Sequence, residues 1–295
     1  WALQDVLAHD ISVGAPPDMY NQLGQDWSQP PWRPDALEAA AYVPYRDMLR
    51  TILRHSGGIR VDHALGLFRL WWIPTGLGAT RGTFMRYDHE ALVGILALEA
   101  QRAGAFVVGE DLGTFDGWVR TYLEDRGIAG TSILWFEGEH GAPLPPERWR
   151  RDCLGTVTVH DLPPTAGYLA GEHVRIRSEL GLLARDVDEE RAADEAATSE
   201  WINLAETRGL LGGESVGDRV VALHRLLAQS PARLVGISLP DLVGDVRAQN
   251  QPGTHREYPN WCVPLCDATG APVLLEDLAS APLTAPLVQA IGPTP

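Results

Sequence analysis

The sequence predicts an α/β fold in which short parallel strands alternate with helices. Short β-branched runs are separated by longer stretches with apolar residues at helical spacing, a pattern typical of βα units. Several of the helical stretches stop at a glycine, the usual residue after a helix end. With 295 residues and 45% hydrophobic content, the chain can bury a core as one large domain or as two smaller ones.

Five runs are predicted to be strands. They are GIRVD at 58–62, AFVVGE at 105–110, TSILWFE at 131–137, GTVTVHD at 155–161 and RLVGISL at 233–239. Helices are predicted over 88–104 and 115–127, each ended by glycine, and another begins at Pro44, because the first helical turn tolerates proline.

The long connection before the last predicted strand differs in composition. It holds an acid-rich helical stretch at 185–200 and an amphipathic helix at 216–230. The simplest interpretation is a helical insertion over about 170–231 that decorates the sheet, its charges serving solubility. The proline-rich segments 14–34 and 249–264 are expected to be ordered loops, because both carry aromatic and amide side chains.

Charge and cysteine content narrow the class of protein. A formal net charge of −15 argues against nucleic acid or an anionic membrane as a partner, because both would repel the chain. Three cysteines form neither a disulfide framework nor a zinc site, and no run is long enough to span a membrane. We therefore expect a cytoplasmic protein. The opening WALQDVLAHD, without an initiator methionine, suggests a truncated piece.

Carboxylates follow three of the predicted strands. Arg60 and Asp62 fall on one face of the first strand, where the guanidinium is expected to keep the aspartate ionised. Glu110 ends the next strand, and His160 and Asp161 end a later one. An ion pair or a helix cap could explain each carboxylate alone. Together they favour an active site, because parallel βα barrels build their sites at these strand ends.

Carboxylates without a cluster of metal ligands suggest acid/base and nucleophilic chemistry on a neutral bond. Glycoside transfer is the prime case: one carboxylate attacks the anomeric carbon and must be ionised, and the second must begin protonated. Ten tryptophans suit a sugar substrate. Tyr20 and Trp27, in a polar loop, are candidates for sugar contact, whereas packing is the simpler interpretation for at least one of Trp71 and Trp72.

Six motifs then carry a resemblance to a known family. They are GAPPDMYNQLGQDWSQPPW, GGIRVDHALGLFRLWWIPTG, VVGEDLG, TVTVHDLPPTAGYLAG, VGISLPDLVG and NQPGTHREYPNWCVPL. In this order, from near residue 10 to about 265, the sequence resembles the 4-α-glucanotransferases known as amylomaltases or disproportionating enzymes, family 77 of the glycoside hydrolases. The resemblance implies a (β/α)₈ TIM barrel of the α-amylase clan. Residues 1–295 would be a partial catalytic domain holding roughly strands four to eight, with the helical insertion before the last strand.

The resemblance also implies a role for each motif residue. Asp62 matches the nucleophile, Glu110 the acid/base, and Asp161 the third carboxylate, which binds substrate hydroxyls and stabilises the transition state. Arg60 and His160 match residues that orient the nucleophile and grip the donor sugar. The substrate groove would be lined by Tyr20, Trp27, Asn250 and Gly253. The family uses no cofactor or metal. Ser28 departs from the glycine of many relatives, a change that concerns acceptor binding.

The implied reaction is a double displacement that retains the α-anomer. Its partners would be maltooligosaccharides and α-1,4-glucans as donors and glucose or maltose as acceptors. Two alternatives stay open at this stage: a hydrolase of the α-amylase clan using the same carboxylates, and an inactive glucan-binding fragment that lacks the first barrel strands. Chain-length preference and oligomeric state are not predicted.

Overall fold

The computed structural model describes residues 3–18, 21–113, 116–139 and 141–292. It divides into two compact units, Trp1–Thr131 and Ser132–Pro295. The strands are β1 (Ile11–Ala15), β2 (Gln25–Asp26), β3 (Gly58–Val61), β4 (Arg69–Pro74), β5 (Thr83–Arg86), β6 (Phe106–Gly109), β7 (Ile128–Ile133), β8 (Gly138–Glu139), β9 (Ala142–Pro143), β10 (Cys153–Thr156) and β11 (Leu234–Gly236).

The helices lie between and after these strands. They are α1 (Pro34–Ala39), α2 (Val43–Leu53), α3 (His89–Ala103), α4 (Gly117–Glu124), α5 (Thr165–Leu169), α6 (Glu172–Glu179), α7 (Val187–Thr207), α8 (Val216–Ala228), α9 (Leu239–Val243) and α10 (Thr284–Ile291). Short 3₁₀ turns are formed by Gln4–Val6, Ala64–Leu67, Ala79–Arg81, Leu134–Phe136, Pro146–Arg148 and Leu275–Ser280.

Parallel strands organise the first unit. β6 pairs with β3 on one side and with β7 on the other, both in parallel. Leu49 of α2, Leu96 of α3 and Val107 of β6 belong to one buried cluster, each at most 4% exposed. Burying a side chain of this size stabilises the fold by about 2 kcal/mol. The register pairs Val61 with Gly109, so the next residue on each strand leaves the sheet at the same carboxyl edge.

The first unit also contains an antiparallel sheet that the sequence analysis missed. Its strand order is β2-β1-β4-β5. Trp71 and Trp72 lie in β4 and pair with Phe84 and Thr83 of β5. RLWWIP lacks the alternation of polar and apolar residues that predicts a half-buried strand, because both faces of β4 carry apolar side chains. On one face Trp72 packs against the core, and on the other Trp71 lies edge-on to Phe84, with ring centroids 4.8 Å apart.

In the second unit, β10 and β11 pair in parallel, with Leu154 opposite Leu234. Two predicted strands are displaced along the chain: residues 131–137 end as a 3₁₀ turn, and β10 stops at Thr156 rather than 161. The Thr156 hydroxyl donates to the Thr158 carbonyl at 2.7 Å, a local bond that competes with continuation of the sheet.

Helices α6, α7 and α8 occupy the stretch predicted to be a helical insertion. Helix α8 supplies the core through Leu223, Leu226 and Leu227, all fully buried. The acid-rich α7 is capped by Asp186, whose carboxylate accepts the N–H groups of Asp188 and Glu189. The helix packs through Thr198, Trp201 and Ala205. Two of its acidic residues, Glu190 and Asp194, are largely buried beside Arg177 and His173.

These elements confirm the predicted α/β class with parallel strands. The count of barrel strands and the treatment of 1–295 as one domain stay predictions. Within the described residues, none of the helices is long and apolar enough to cross a membrane.

Candidate active site

The first predicted pair, Arg60 and Asp62, forms at the carboxyl end of β3. Arg60 Nη1 lies 2.5 Å from Asp62 Oδ1. The Asp62 side chain is 71% exposed, so its carboxylate is open to an incoming molecule while one oxygen is held by the guanidinium. The alternation of the strand, which places residues 60 and 62 on one face, explains the pair.

Glu110 lies at the corresponding position after β6. Its Oε2 accepts the backbone N–H of His63 at 2.9 Å, and its Oε1 accepts the N–H of Leu112 at 2.8 Å. Its own backbone bonds across to the β3 end, donating to Val61 O and accepting from Ala64 N, both at 2.8 Å. Main-chain groups on both sides therefore fix this carboxyl group next to the residues that carry Asp62.

The electrostatic environment separates the two carboxyl groups. Burial raises the pKa of Glu110, and the negative charge of Asp62 raises it further. The N–H groups of Leu112 and His63 and the charge of Arg60 oppose this rise without reversing it. Glu110 thus keeps its proton to a higher pH than an ordinary glutamate does, while exposed Asp62 is paired with a cation.

His63 is a site residue that the sequence analysis did not select. It adopts a left-handed conformation, with φ of 46°, and this turn aims its N–H at Glu110. Burial lowers the pKa of its imidazole, partly opposed by the charge of Asp62. Trp27, a predicted contact residue, lies edge-on to the ring at 5.1 Å between centroids. A positive φ outside glycine leaves no signal in the sequence, so only the Asp-His pair itself could have pointed to His63.

The second unit assembles the other predicted group. His160 Nε2 lies 3.2 Å from Asp161 Oδ2, and Asn250 donates its side-chain amide to Asp161 Oδ1 at 2.7 Å. Residues 160 and 250 are far apart in sequence, yet both meet one carboxylate. The structure thus brings two of the predicted residues, His160 and Asn250, to the carboxylate of a third, Asp161.

Trp261 belongs to this group and was also missed. Its ring lies 5.2 Å from that of His160, and it is 66% exposed, which is unusual for so large an apolar side chain. Its φ of 60° is strained for a tryptophan, a conformation that costs about 1 kcal/mol or more. Its backbone N–H donates to Gln249 O at 2.8 Å, which links this strained residue to the loop that carries Asn250. The residues around Trp261 show no sequence pattern from which its exposure could be predicted.

The remaining predicted residues have less defined surroundings. Gly253 has φ of 81°, a conformation that favours glycine, in the turn that follows Asn250. Ser28, at the position noted as a departure, also has a positive φ, and its N–H donates to the carboxylate of Asp26 at 2.9 Å. Tyr20 lies outside the described residues.

A cavity of about 730 Å³ lies elsewhere in the second unit, along α6 and α7. Its lining is rich in charged side chains of both signs, including Arg175, Arg191, Asp194 and Glu206, and contains none of the predicted site residues. Among the described residues, no three His, Cys, Asp or Glu side chains are arranged to hold a metal ion.

The chain is similar to proteins of one known family. The sequence model described as 4-alpha-glucanotransferase, glycoside hydrolase family 77, matches residues 1–268. A 4-alpha-glucanotransferase of Mycobacterium bovis is 56% identical over 299 aligned residues, covering 99% of this chain and 41% of the relative. One from Haemophilus influenzae is 33% identical, covering 89% of this chain and 39% of the relative.

Solved structures are also similar. The crystal structure of amylomaltase from Corynebacterium glutamicum superposes with a TM-score of 0.91 at 51% identity, covering 98% of this chain and 43% of that one. Amylomaltase from Streptococcus agalactiae, in complex with acarbose, superposes with a TM-score of 0.70 at 18% identity and shares the fold, covering 96% of this chain and 50% of that one. The chain thus spans about two fifths of the length of its curated relatives.

Proposed function

Because this chain belongs to the 4-alpha-glucanotransferase family, we propose that the protein carrying it moves α-1,4-glucan segments from a maltooligosaccharide donor to a sugar acceptor. Glucose and maltose are the proposed acceptors, and the reaction retains the α-anomer. The S. agalactiae relative was solved with acarbose bound, which supports an oligosaccharide ligand.

One observation carries the proposed chemistry: two carboxyl groups at adjacent strand ends have opposite electrostatic environments. Asp62 is exposed and paired with Arg60, which suits a nucleophile that attacks the anomeric carbon as a carboxylate. Glu110 is held by two main-chain N–H groups, and its pKa is raised by burial, which suits the acid that protonates the leaving oxygen.

The proposed reaction then has two halves. Asp62 displaces the leaving sugar while Glu110 gives that sugar oxygen its proton, which leaves a glycosyl-aspartate. Glu110, now ionised, removes the proton from an acceptor hydroxyl, and the acceptor displaces Asp62. Two inversions restore the α-anomer. Main-chain anchoring keeps the Glu110 carboxyl group in place through both halves.

Asp161 is proposed to bind sugar hydroxyls and to stabilise positive charge at the anomeric carbon. The amide of Asn250 and the ring of His160 hold its two oxygens, so its orientation is set before a substrate arrives. Trp27, Tyr20 and Gly253 are proposed to line the groove.

We further propose that the natural chain forms a (β/α)₈ barrel of the α-amylase clan, with roughly strands four to eight and the helical insertion in residues 1–295. Parallel pairing within each unit and the likeness to the C. glutamicum amylomaltase support this architecture. A cytoplasmic location is also proposed. Free thiols at all three cysteines, of which Cys262 alone is exposed, are consistent with a reducing compartment.

Transfer is tested by incubating the full natural chain with maltotriose alone. We expect glucose together with maltopentaose and longer chains, because a glucan segment on Asp62 passes to a second sugar rather than to water. Chromatography of the products over time is the measurement. Shorter products without elongation would instead establish a hydrolase, and binding without turnover would establish a glucan-binding protein.

Trp261→Ala should raise the KM for maltooligosaccharides about tenfold and change kcat much less. An exposed aromatic ring beside His160 offers a flat face to the apolar side of a pyranose. Strained backbone conformations cluster at binding and active sites, which favours a functional role for this exposed ring. Trp118→Ala is the matched control, since Trp118 is also half-exposed but lies on α4. Equal KM values for the two variants would exclude sugar contact by Trp261.

A further inference from the structure

A buried aspartate anchors the far end of the loop that carries Asp161. Asp241, in α9, is 1% exposed. Its Oδ1 accepts the backbone N–H of Thr165 at 2.6 Å, and its Oδ2 accepts the Thr165 hydroxyl at 2.7 Å. Thr165 is the first residue of α5 and lies four positions after Asp161. Two hydrogen bonds to one buried carboxyl group therefore fix the point where the loop ends.

The loop between β10 and α5 is tied together internally. The Thr158 hydroxyl donates to Pro163 O at 2.7 Å, and the Leu162 N–H donates to Val159 O at 3.1 Å. Thr158 is 3% exposed, so its hydroxyl depends on that single acceptor rather than on water. With its two sides linked, the loop moves as a piece with α5, and the anchor of α5 sets the position of Asp161.

One chain segment holds both ends of this arrangement. Asp241 binds the start of α5, and nine residues later Asn250 donates to Asp161 itself at 2.7 Å. Between them the backbone of Val246 lies against α5 so closely that a Cβ on Gly167 would be 2.0 Å from Val246 O. The segment 241–250 therefore grips the loop and its helix at three places.

His224, on α8, lies against the carboxyl group of Asp241 on the other side. Its Nδ1–H donates to Val220 O at 2.8 Å, so its Nε2, 3.6 Å from Asp241 Oδ2, is the remaining ring nitrogen. Both residues are fully buried, so the imidazole ring and the carboxyl group lie side by side in the core. Burial raises the pKa of Asp241.

We propose that Asp241 is a positioning residue, which places the catalytic Asp161 through Thr165 and α5. The proposal rests on the proposed transferase function, because it assigns Asp161 a part in the reaction. Asp241 contacts no substrate in this role: it determines where the loop carrying Asp161 lies.

The decisive variant is Thr165→Val in the full natural chain. Asp241→Ala leaves the N–H and hydroxyl of Thr165 and the ring of His224 without their partner in the core, and so tests folding as much as position. Valine keeps the shape of Thr165 and its backbone N–H but removes the hydroxyl. We expect kcat for transfer to fall ten- to hundredfold while the dissociation constant for maltotriose changes much less, and Thr165→Ser to restore most of the rate.

Two controls separate positioning from general stability. Thr198→Val also removes a buried hydroxyl in the second unit, one bonded to a carbonyl of its own helix α7, and should leave kcat unchanged. In an Asp161→Asn background, measured with α-maltosyl fluoride to keep slow variants visible, Thr165→Val should cause no further loss. A further tenfold loss in that background, or a wild-type kcat with only a lowered unfolding temperature, would overturn the proposal.

Amide hydrogen exchange distinguishes this inference from the proposed function. Thr165→Val should speed exchange at residues 158–165 at least tenfold relative to the rest of the unit. If the natural chain forms no elongated products from maltotriose, the transferase proposal fails. Unchanged exchange in this loop would refute the anchoring role of Asp241 whatever the activity.

Discussion

Asp62→Asn should lower glucan transfer by about 10⁴-fold or more while the fold is kept. The amide cannot attack the anomeric carbon, so the covalent half-reaction is lost and only slower routes remain. Asp62 is 71% exposed and makes its ion pair with Arg60 at the surface of a strand end, so little stability depends on its charge. Steady-state kinetics with maltotriose, together with thermal unfolding of the same sample, measures both effects.

The chain offers a close control for this substitution. Asp35 is 70% exposed and pairs with Arg33, two residues before it, at 2.6 Å, which matches the spacing and exposure of the Arg60–Asp62 pair. Asp35→Asn should leave transfer unchanged. If both variants kept their activity, Asp62 would not be the nucleophile.

Chemical rescue tests the role of Asp62 more directly. In Asp62→Gly, azide can enter the vacated space and attack α-maltosyl fluoride. A single displacement by azide inverts the anomeric centre, so the product should be the β-azide. An α-azide would mean that another side chain still forms the covalent intermediate, and the nucleophile would have to be sought elsewhere.

Much of the first carboxylate cluster could be predicted from the sequence, because it follows from strand geometry. Alternation along GIRVD places Arg60 and Asp62 on one face, and the observed 2.5 Å pair has that form. Parallel strands end at a common edge, so Asp62 and Glu110, which follow the paired residues Val61 and Gly109, leave the sheet side by side. Both relations depend on the two-residue alternation of side chains along a strand and on the parallel direction of the strands, and both can be predicted from a sequence.

Relations that depend on loop conformation could not be predicted. The left-handed turn at His63, which supplies an N–H to Glu110, and the strained, exposed Trp261 have no periodic signal. Asn250 reaches Asp161 across 89 positions of sequence, and its motif was found only through family resemblance. The antiparallel sheet escaped for a related reason: β4 is apolar on both faces, so its alternation is hidden.

Glu110→Gln should lower transfer from maltotriose about 10³-fold but lower the first-turnover release of fluoride from α-maltosyl fluoride much less. Fluoride leaves without a proton, whereas the sugar oxygen needs the one that Glu110 supplies. The pKa of Glu110 is raised by burial and by Asp62, so the acid stays protonated to a higher pH than an exposed glutamate would. Wild-type activity on maltotriose should fall as pH rises through that pKa, and the fall should be absent in the variant.

The same pKa shift predicts how stability changes with pH. A carboxyl group whose pKa is higher in the folded state releases its proton more easily on unfolding, so the unfolding free energy falls as pH rises above the unfolded value. Relative to Glu110→Gln, wild-type protein should therefore lose stability between pH 4 and the folded pKa of Glu110. Glutamine has only one side-chain oxygen, so the variant loses one of the two hydrogen bonds from the backbone N–H groups of His63 and Leu112. This loss is nearly the same at every pH, so it does not change how the difference in stability depends on pH. If the unfolding free energies of the two proteins differed by the same amount at every pH, burial would not raise the pKa of Glu110.

Azide also separates the acid/base from the nucleophile, because the stereochemistry differs. In Glu110→Gln, Asp62 still forms the glycosyl-enzyme from α-maltosyl fluoride, and its breakdown by a sugar is slow for want of a base. A covalent maltosyl group on Asp62 should therefore accumulate and be detectable by mass. Azide needs no base and attacks this intermediate in a second inversion, which gives the α-azide. Opposite anomers from Asp62→Gly and Glu110→Gln would assign the two carboxyl groups independently of any rate, whereas the same anomer from both would refute the double displacement.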